Sequence, residues 1–139
     1  MLYVPARLEH PPLQALARDL KLPLLADAES LGADDFLLIH DDQGLGLQAA
    51  GRVLPVRVDF ARGALHWRRL HGGGESLVRA VRGRSRDALR VVDATAGLGT
   101  DSFVLASHGF SVLALERHPV VAALLADGLA RASTDEELV

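Results

Sequence analysis

The turn at residues 95–100 combines the residue types that a nucleotide-type cofactor site requires. Asp93 ends a short apolar run, Gly97 and Gly99 follow it, and a helical pattern begins just beyond them. Glycines in such a turn let the backbone approach a ligand, and ligands of open α/β sheets lie beyond the carboxyl ends of the strands. Glu116 ends the next apolar run, about 20 residues further on, where an acid can accept hydrogen bonds from two ribose hydroxyls. The pattern predicts a site for a nucleoside-bearing cofactor.

Two cofactor classes compete for such a turn, and their charges separate them. A dinucleotide fingerprint has a third glycine where this chain has Ser102, and it rests a pyrophosphate on the helix N-terminus, where this chain has Asp101. A carboxylate at roughly 4 to 6 Å repels a pyrophosphate, at a cost on the order of a few kcal/mol. S-adenosylmethionine (SAM) carries a sulfonium and an ammonium but no phosphate, so Asp93 and Asp101 favour SAM. Asp101 is also a common N-cap residue, and both roles stay open for it.

The elements around this turn follow a βαβα pattern. A strand is predicted at 90–94, a helix at 101–108, a second strand at 111–116 and a second helix from Pro119. Two parallel strands alone do not make a stable doubly wound sheet, because both faces and both edges need covering. We therefore expect residues 91–139 to be the first part of a Rossmann-like α/β domain whose C-terminal half is absent.

The preceding residues predict a small, antiparallel, β-rich subdomain over 1–74, followed by a basic helix and connector over 75–90. Alternation in one of its strands places Val56, Val58 and Phe60 on a buried face. The predicted elements are a helix at 13–20, strands at 36–40, 45–50, 56–60 and 64–70, and a helix at 75–83.

Charge is distributed in three blocks beneath a formal net charge of −3. Residues 52–90 carry ten arginines against three acidic residues, whereas 1–51 and 91–139 are both acidic. Such a basic block is typical of a surface that meets phosphates. A solvated face that balances two acidic neighbours is an equally good explanation of the composition alone.

Composition excludes several classes of site. The chain has no cysteine, and its six histidines are scattered, so neither a disulfide framework nor a zinc site is expected and no metal is predicted. No apolar stretch approaches the roughly 20 residues of a membrane span, and the N-terminus does not have the pattern of a secretory leader. The cytoplasm is the expected compartment, with no membrane partner.

Three blocks of the sequence resemble a known enzyme family. VDFARGALHWRRLHGGG, DATAGLGTDSFVLASHGF and ERHPVVAALLADGLARA follow the order found in the ribosomal RNA small subunit methyltransferase J family, over about residues 36–132. The resemblance implies a class I SAM-dependent enzyme that methylates the exocyclic N2 of one guanosine in 16S rRNA, with the small ribosomal subunit as its partner. It also implies that Thr100–Asp101 and Glu116–Arg117 contact the cofactor.

The motif and the resemblance together define two sets of candidate residues. The candidates for binding SAM are Asp93, Thr95, Gly97, Gly99, Thr100, Asp101, Glu116 and Arg117. For an rRNA enzyme the basic block gains a role, and the candidates for phosphate contact are Arg57, Arg68, Arg69, Arg82, Arg84 and Arg86.

The sequence departs from the family pattern in three places. Thr100 stands where the family often has arginine, and Glu75-Ser76 stand where relatives carry a basic residue and a slightly longer stretch. Members also continue well beyond this length, with a D-P-M-[FY]-P type segment that supplies acceptors to the target amine. The catalytic residues are therefore expected outside this chain, which is interpreted as an N-terminal fragment inactive by itself. The alternatives are a fragment of an NAD-binding oxidoreductase and a non-catalytic RNA-binding module.

Overall fold

The chain divides into two compact units, Met1–Arg57 and Val58–Val139, here called the first and the second unit. The computed structural model describes residues 1–5, 10–26, 31–61, 75–84 and 89–135. The predicted strand at 64–70 therefore lies outside the described residues. In these ranges no helix is both long enough and apolar enough to span a bilayer.

The first unit is a four-stranded sheet with one helix. The sheet order is β2-β1-β3-β4, in which β1 is parallel to both β2 and β3, and β3 is antiparallel to β4. The hairpin predicted over 36–50 is confirmed. The sheet is nevertheless mixed, because two short strands near the N-terminus join it in parallel. The sequence pattern did not predict these two strands. The elements are β1 (Leu2–Pro5), α1 (Pro11–Asp19), β2 (Leu24–Leu25), β3 (Phe36–Asp41) and β4 (Gly44–Ala49).

The start of α1 is fixed by the residue that precedes it. His10 is the N-cap, and its Nδ1 accepts a hydrogen bond from the Leu13 amide at 3.2 Å. The two prolines that follow need no amide partner at the first helical positions. Leu13 is fully buried, and the His10 ring stacks on His40 of β3 with 3.6 Å between the ring centroids.

The segment 56–60 corrects the sequence-based prediction of a strand. Only Val56 forms a bridge, exchanging backbone hydrogen bonds of 2.9 and 2.8 Å with Leu47. Val58 and Phe60 are buried as predicted, but Val56 is 50% exposed. The reason is that Val58 and Phe60 pack against helices of the second unit rather than against a strand. They belong to that unit, whereas the sequence placed them in a subdomain extending to residue 74.

The second unit contains the predicted βαβα arrangement. β5 and β6 are parallel, with Asp93 paired to Ala114 at their carboxyl ends, and α3 connects them. Helix α2 contacts α3, and the guanidinium of Arg82 lies 5.0 Å from the centre of the Phe110 ring. The elements are α2 (Glu75–Arg82), β5 (Arg90–Asp93), α3 (Thr100–Ser107), β6 (Ser111–Ala114) and α4 (Pro119–Ala132).

The two faces of the β5–β6 sheet differ. The core of the unit is built from buried side chains of α3 and α4, with Leu124 as one of the largest fully buried residues. Val92 of β5, Leu113 of β6 and Leu115, which directly follows β6, are 61%, 58% and 47% exposed. Because residues two apart on a strand share a face, these side chains form one exposed apolar face of the sheet.

We expect Gly128→Ala to destabilise the second unit. At an open helical position this change stabilises a protein by about 1 kcal/mol. At Gly128 in α4, however, a Cβ would lie 2.3 Å from Val58 Cγ1, and overpacking costs about 1–3 kcal/mol. The midpoint of chemical denaturation should fall, and it should fall less in a Val58→Ala background. A Gly128→Ala protein more stable than the parent would contradict this packing.

Candidate functional site

The glycine turn is tied to the carboxyl ends of both strands of the second unit. The Thr95 amide donates to Asp93 Oδ1 at 3.1 Å, and the Gly97 amide donates to Glu116 Oε2 at 2.9 Å. Between them, the Ala96 amide donates to the carbonyl of Leu115 at 3.0 Å. The structure therefore brings Asp93 and Glu116, two of the predicted cofactor residues, onto one short stretch of backbone.

Glu116 is held as an anionic hydrogen-bond acceptor. Its Oε1 accepts from the His118 amide at 2.7 Å, while Oε2 accepts from Gly97. The His118 amide, followed by the Gly97 amide, lowers the pKa of Glu116, and desolvation opposes the shift only in part. A carboxylate has about four acceptor positions, so lone pairs remain for hydroxyl donors of a ligand. The binding of ribose hydroxyls by Glu116 stays a prediction of the sequence analysis.

Asp93 is held by a side chain that the sequence analysis did not assign to the site. Ser102 Oγ donates to Asp93 Oδ2 at 2.7 Å. Ser102 is only 8% exposed and is the one buried polar residue among those described. The sequence analysis considered Ser102 only because a dinucleotide fingerprint has its third glycine at that position. The available signal was its position in the first turn of α3, next to the apolar positions that face the strands.

The two glycines of the turn have different roles. Gly97 has a φ of +55°, and the nearest described neighbour of a Cβ there would be the Thr95 carbonyl at 4.0 Å. Gly99 has a φ of +79°, and a Cβ there would lie 2.4 Å from Leu125 Cδ1 and 3.3 Å from Phe60 Cζ. The open side of Gly97 suits close approach by a ligand. Internal packing leaves no room for a side chain at Gly99, and the contact of its backbone with a cofactor stays a prediction.

Three further predicted cofactor residues, Thr100, Asp101 and Arg117, are placed differently from Asp93 and Glu116. Gly99, not Asp101, is the N-cap of α3, and no side chain caps this helix. The predicted capping role of Asp101 is therefore wrong, although its carboxylate in the first turn is favoured by the helix dipole. Asp101 and Arg117 are exposed and Thr100 is half-buried, and no hydrogen bond in the described ranges joins these side chains to the turn. Of the three acids predicted to share the site, Asp93 and Glu116 accept hydrogen bonds from the turn, and Asp101 has none with it among the described residues.

A small cavity beside the turn is distinct from this edge. It has a volume of about 100 Å³ and lies between α3, β6 and α4, with an apolar lining that includes Ala106, Val112 and Leu125. Small-molecule sites usually measure about 300–1,000 Å³. The edge defined by Asp93, Gly97 and Glu116, rather than this cavity, is the candidate cofactor site.

The candidate phosphate-binding arginines differ in their surroundings. Arg57 donates to Asp41 Oδ2 at 2.6 Å and to the Gly44 carbonyl, and its side chain is 16% exposed, so its guanidinium is engaged within the first unit. Arg82 donates to the His108 carbonyl at 3.0 Å. Arg84 is exposed. The remaining candidates lie outside the described residues: Arg68, Arg69 and Arg86.

We expect Ser102→Ala to destabilise the second unit by about 1–2 kcal/mol, since it removes a donor from a partly buried carboxylate. The matched control is Ser107→Ala in the same helix, where an exposed hydroxyl donates to the Val104 carbonyl at 2.8 Å. That change should cost less than about 0.5 kcal/mol. Equal midpoints of thermal unfolding for the two variants would contradict a specific role for the Ser102 hydroxyl.

The lowered pKa of Glu116 predicts a pH-dependent contribution to stability. A depressed folded-state pKa contributes stability that is fully present above the unfolded value, about 4.3, and is lost as the pH falls through the folded value. Glu116→Gln should therefore lower the free energy of unfolding at pH 7, and the difference from the parent should shrink below about pH 4. Denaturation curves recorded across this range test it. A difference that is constant with pH would exclude the ionised carboxylate as the cause.

Comparison with known proteins confirms the resemblance seen in the sequence. A family model described as "Putative SAM-dependent methyltransferase" matches residues 20–139. A ribosomal RNA small subunit methyltransferase J from Coxiella burnetii is 47% identical over 138 residues, which cover 95% of this chain and 52% of that protein. The protein of the same name from Thioalkalivibrio sulfidiphilus is 50% identical over 129 residues, covering 90% of this chain and 49% of its own length.

A solved structure supports the same relationship. The crystal structure of a SAM-dependent methyltransferase from Neisseria gonorrhoeae matches with a TM-score of 0.73 at 36% identity, covering 99% of this chain and 55% of that one. The predicted fold class, an α/β chain with the first part of a Rossmann-like methyltransferase sheet, is thereby confirmed. The chain spans about half the length of the curated relatives it matches. On the match over most of its length, this chain belongs to the SAM-dependent methyltransferase family.

Proposed function

We propose that this chain provides the first half of the SAM site of an rRNA methyltransferase, and that the whole protein methylates the exocyclic N2 of a guanosine in 16S rRNA. The small ribosomal subunit is then its partner and the cytoplasm its compartment. The relatives named ribosomal RNA small subunit methyltransferase J support the substrate class. The observation that carries the proposal is the attachment of Asp93 and Glu116 to a single turn at the ends of two parallel strands.

The charges and donors at this edge fit SAM. Glu116 offers a fixed anionic acceptor for ribose hydroxyls, and the Asp93 carboxylate, oriented by Ser102, offers an acceptor for an ammonium. Two fixed carboxylates on one turn oppose the pyrophosphate of a dinucleotide. Thr95, Gly97, Thr100, Asp101 and Arg117 complete the proposed lining, with Gly99 supporting the turn from beneath.

The contribution of this chain to the reaction is binding and alignment. SAM supplies a methyl group on a sulfonium, which an attacking amine accepts in line while the sulfur leaves as a thioether. Fixed acceptors at the ribose and at the ammonium limit the orientations that the donor can adopt, and such positioning lowers the barrier of a two-substrate reaction. The residues that receive the proton from the guanine amine are proposed to lie in the half of the relatives that this chain does not match.

The proposed RNA contacts follow the basic block. Arg84 is exposed. Arg82 donates one hydrogen bond to the His108 carbonyl, and the other N–H groups of its guanidinium, which has five, can donate to a phosphate. Arg57 is left out because its guanidinium is held by Asp41. Arg68, Arg69 and Arg86 stay in the proposal on sequence grounds.

Titration calorimetry on two proteins tests the cofactor site. The first is this chain, and the second is this chain extended by the second half of the Coxiella burnetii relative. We expect S-adenosylhomocysteine to bind the extended protein tightly and this chain weakly or not at all, and NADH to bind neither. The extended protein should also transfer labelled methyl groups to small ribosomal subunits, whereas this chain should not. Tight NADH binding, or no binding of S-adenosylhomocysteine to the extended protein, would overturn the proposal.

A pair of ligands separates the roles of the two acids in the extended protein. Glu116→Gln should weaken S-adenosylhomocysteine and 5′-methylthioadenosine alike, because both carry the ribose. Asp93→Asn should weaken only S-adenosylhomocysteine, by about 10- to 100-fold, because methylthioadenosine has no ammonium. Asp42→Asn, a surface carboxylate of the first unit that accepts from Gln43, is the charge-matched control and should bind both ligands normally. Equal losses for Asp93→Asn and Asp42→Asn would refute the assignment of Asp93.

A further inference from the structure

The segment 58–61, here called the strap, begins the sequence block VDFARGALHWRRLHGGG and has no part in the site described above. It forms neither a helix nor a strand. Its two large apolar side chains, Val58 and Phe60, are nevertheless only 2% exposed each. Because buried backbone groups need hydrogen-bond partners, a buried segment outside helices and sheets must be held by specific contacts.

Side chains hold the backbone of the strap at both of its ends. Arg131 of α4 donates from its Nη2 to the Val58 carbonyl, and its Nε donates to Asp127 Oδ2 at 3.0 Å. At the other end the Ala61 amide donates to Asp59 Oδ1 at 3.0 Å, which closes a turn. The strap is therefore attached to α4 and has a fixed course within the second unit.

The ring of Phe60 lies beneath the glycine turn. It stacks on Phe103 of α3, with 4.2 Å between the ring centroids and an angle of 13° between the ring planes. A Cβ at Gly99 would lie 3.3 Å from Phe60 Cζ and 2.4 Å from Leu125 Cδ1. Phe60 and Leu125 therefore form a floor against which the backbone of Gly99 packs directly.

The opposite side of the turn is the one that faces a ligand. The nearest described neighbour of a Cβ at Gly97 would be the Thr95 carbonyl at 4.0 Å, so this side is open. The Gly97 amide also donates to Glu116 Oε2 at 2.9 Å. Gly97 is two residues from Gly99, so a displacement of Gly99 toward a lowered floor also displaces this donor and the carboxylate that it holds.

We propose that Phe60 is a positioning residue of the cofactor site, which acts through Gly99 to keep the turn and Glu116 in the geometry that binds the ligand. Its buried ring supports the turn from the side opposite the ligand and does not contact the ligand itself. The inference rests on the proposed function for the identity of the ligand. It adds to that site a residue from outside the strand, turn and helix of the cofactor motif.

The first test measures S-adenosylhomocysteine binding to the extended protein by titration calorimetry. In Phe60→Leu the side chain ends at Cδ and cannot reach the position of Cζ, so affinity should fall by about 10-fold. The matched control is Phe110→Leu, which alters a buried ring directly before β6, at the amino ends of the strands. Both variants should unfold at a lower temperature, but Phe110→Leu should bind within about 2-fold of the parent. Equal affinities of the two variants would overturn the proposal.

Hydrogen exchange of the 139-residue chain without ligand separates positioning from a general loss of stability. Phe60→Leu should speed exchange of the Ala96 and Gly97 amides about 10-fold more than that of the Leu124 amide in α4, because the turn opens locally. Phe110→Leu should leave the ratio of these rates within about 2-fold of the parent. An unchanged ratio in Phe60→Leu would show that the ring only fills the core, and would overturn the proposal.

A second pair of variants tests the strap without removing any side chain of the floor. Arg131→Met deletes the donor to the Val58 carbonyl and should weaken S-adenosylhomocysteine by about 3-fold in the extended protein. Asp127→Asn weakens the ion pair with Arg131 but leaves the donor to Val58 in place, and it should bind like the parent. Equal affinities of these two variants would contradict the attachment of the strap as part of the positioning.

Failure of this inference and failure of the proposed function give different results. If the extended parent does not bind S-adenosylhomocysteine while Phe60→Leu still speeds exchange at Ala96 and Gly97, only the cofactor proposal fails, and the support of the turn by Phe60 stands. If the extended parent binds S-adenosylhomocysteine and Phe60→Leu binds it equally well, only the positioning role of Phe60 fails.

Discussion

Two backbone amides of one short turn donate hydrogen bonds to two carboxylates, one at the end of β5 and one just after β6. The Thr95 amide goes to Asp93 and the Gly97 amide to Glu116, so the turn can move only if both strand ends move with it. Beneath the turn, Leu125 and Phe60 occupy the space that a side chain at Gly99 would need. The acids are thus fixed before any ligand arrives, which is the preorganisation that a cofactor site requires.

The same contacts explain why the candidate site was partly visible in the sequence. The period of the apolar runs placed Asp93 and Glu116 at strand ends, and parallel strands bring such ends to one edge. Local spacing could not reveal the bond from Ser102 to Asp93, because it depends on how α3 returns across the sheet. Nor could it assign Gly99 to packing, since Leu125, which it accommodates, lies a helix and a strand away along the chain.

The limits of pattern reasoning are clearest in the segment that joins the units. Alternation in VRVDF correctly marked Val58 and Phe60 as buried, yet the burial comes from helices, with Phe60 stacked on Phe103 at 4.2 Å between ring centroids. The pattern of a buried strand is therefore indistinguishable here from that of an extended segment under a helix. A similar limit applies to Arg57, because its charge alone could not show that Asp41, at the end of β3, accepts a hydrogen bond from its guanidinium.

The exposed apolar face of the β5–β6 sheet favours self-association of the second unit. Val92, Leu113 and Leu115 present branched aliphatic side chains to water from this sheet, which has two strands in the described part of the chain. Surfaces of this kind bind hydrophobic dyes and promote clustering as protein concentration rises. Any polypeptide that covers this face must bring a matching apolar layer, and until it does, dilution and mild detergent are the conditions that keep the chain dispersed.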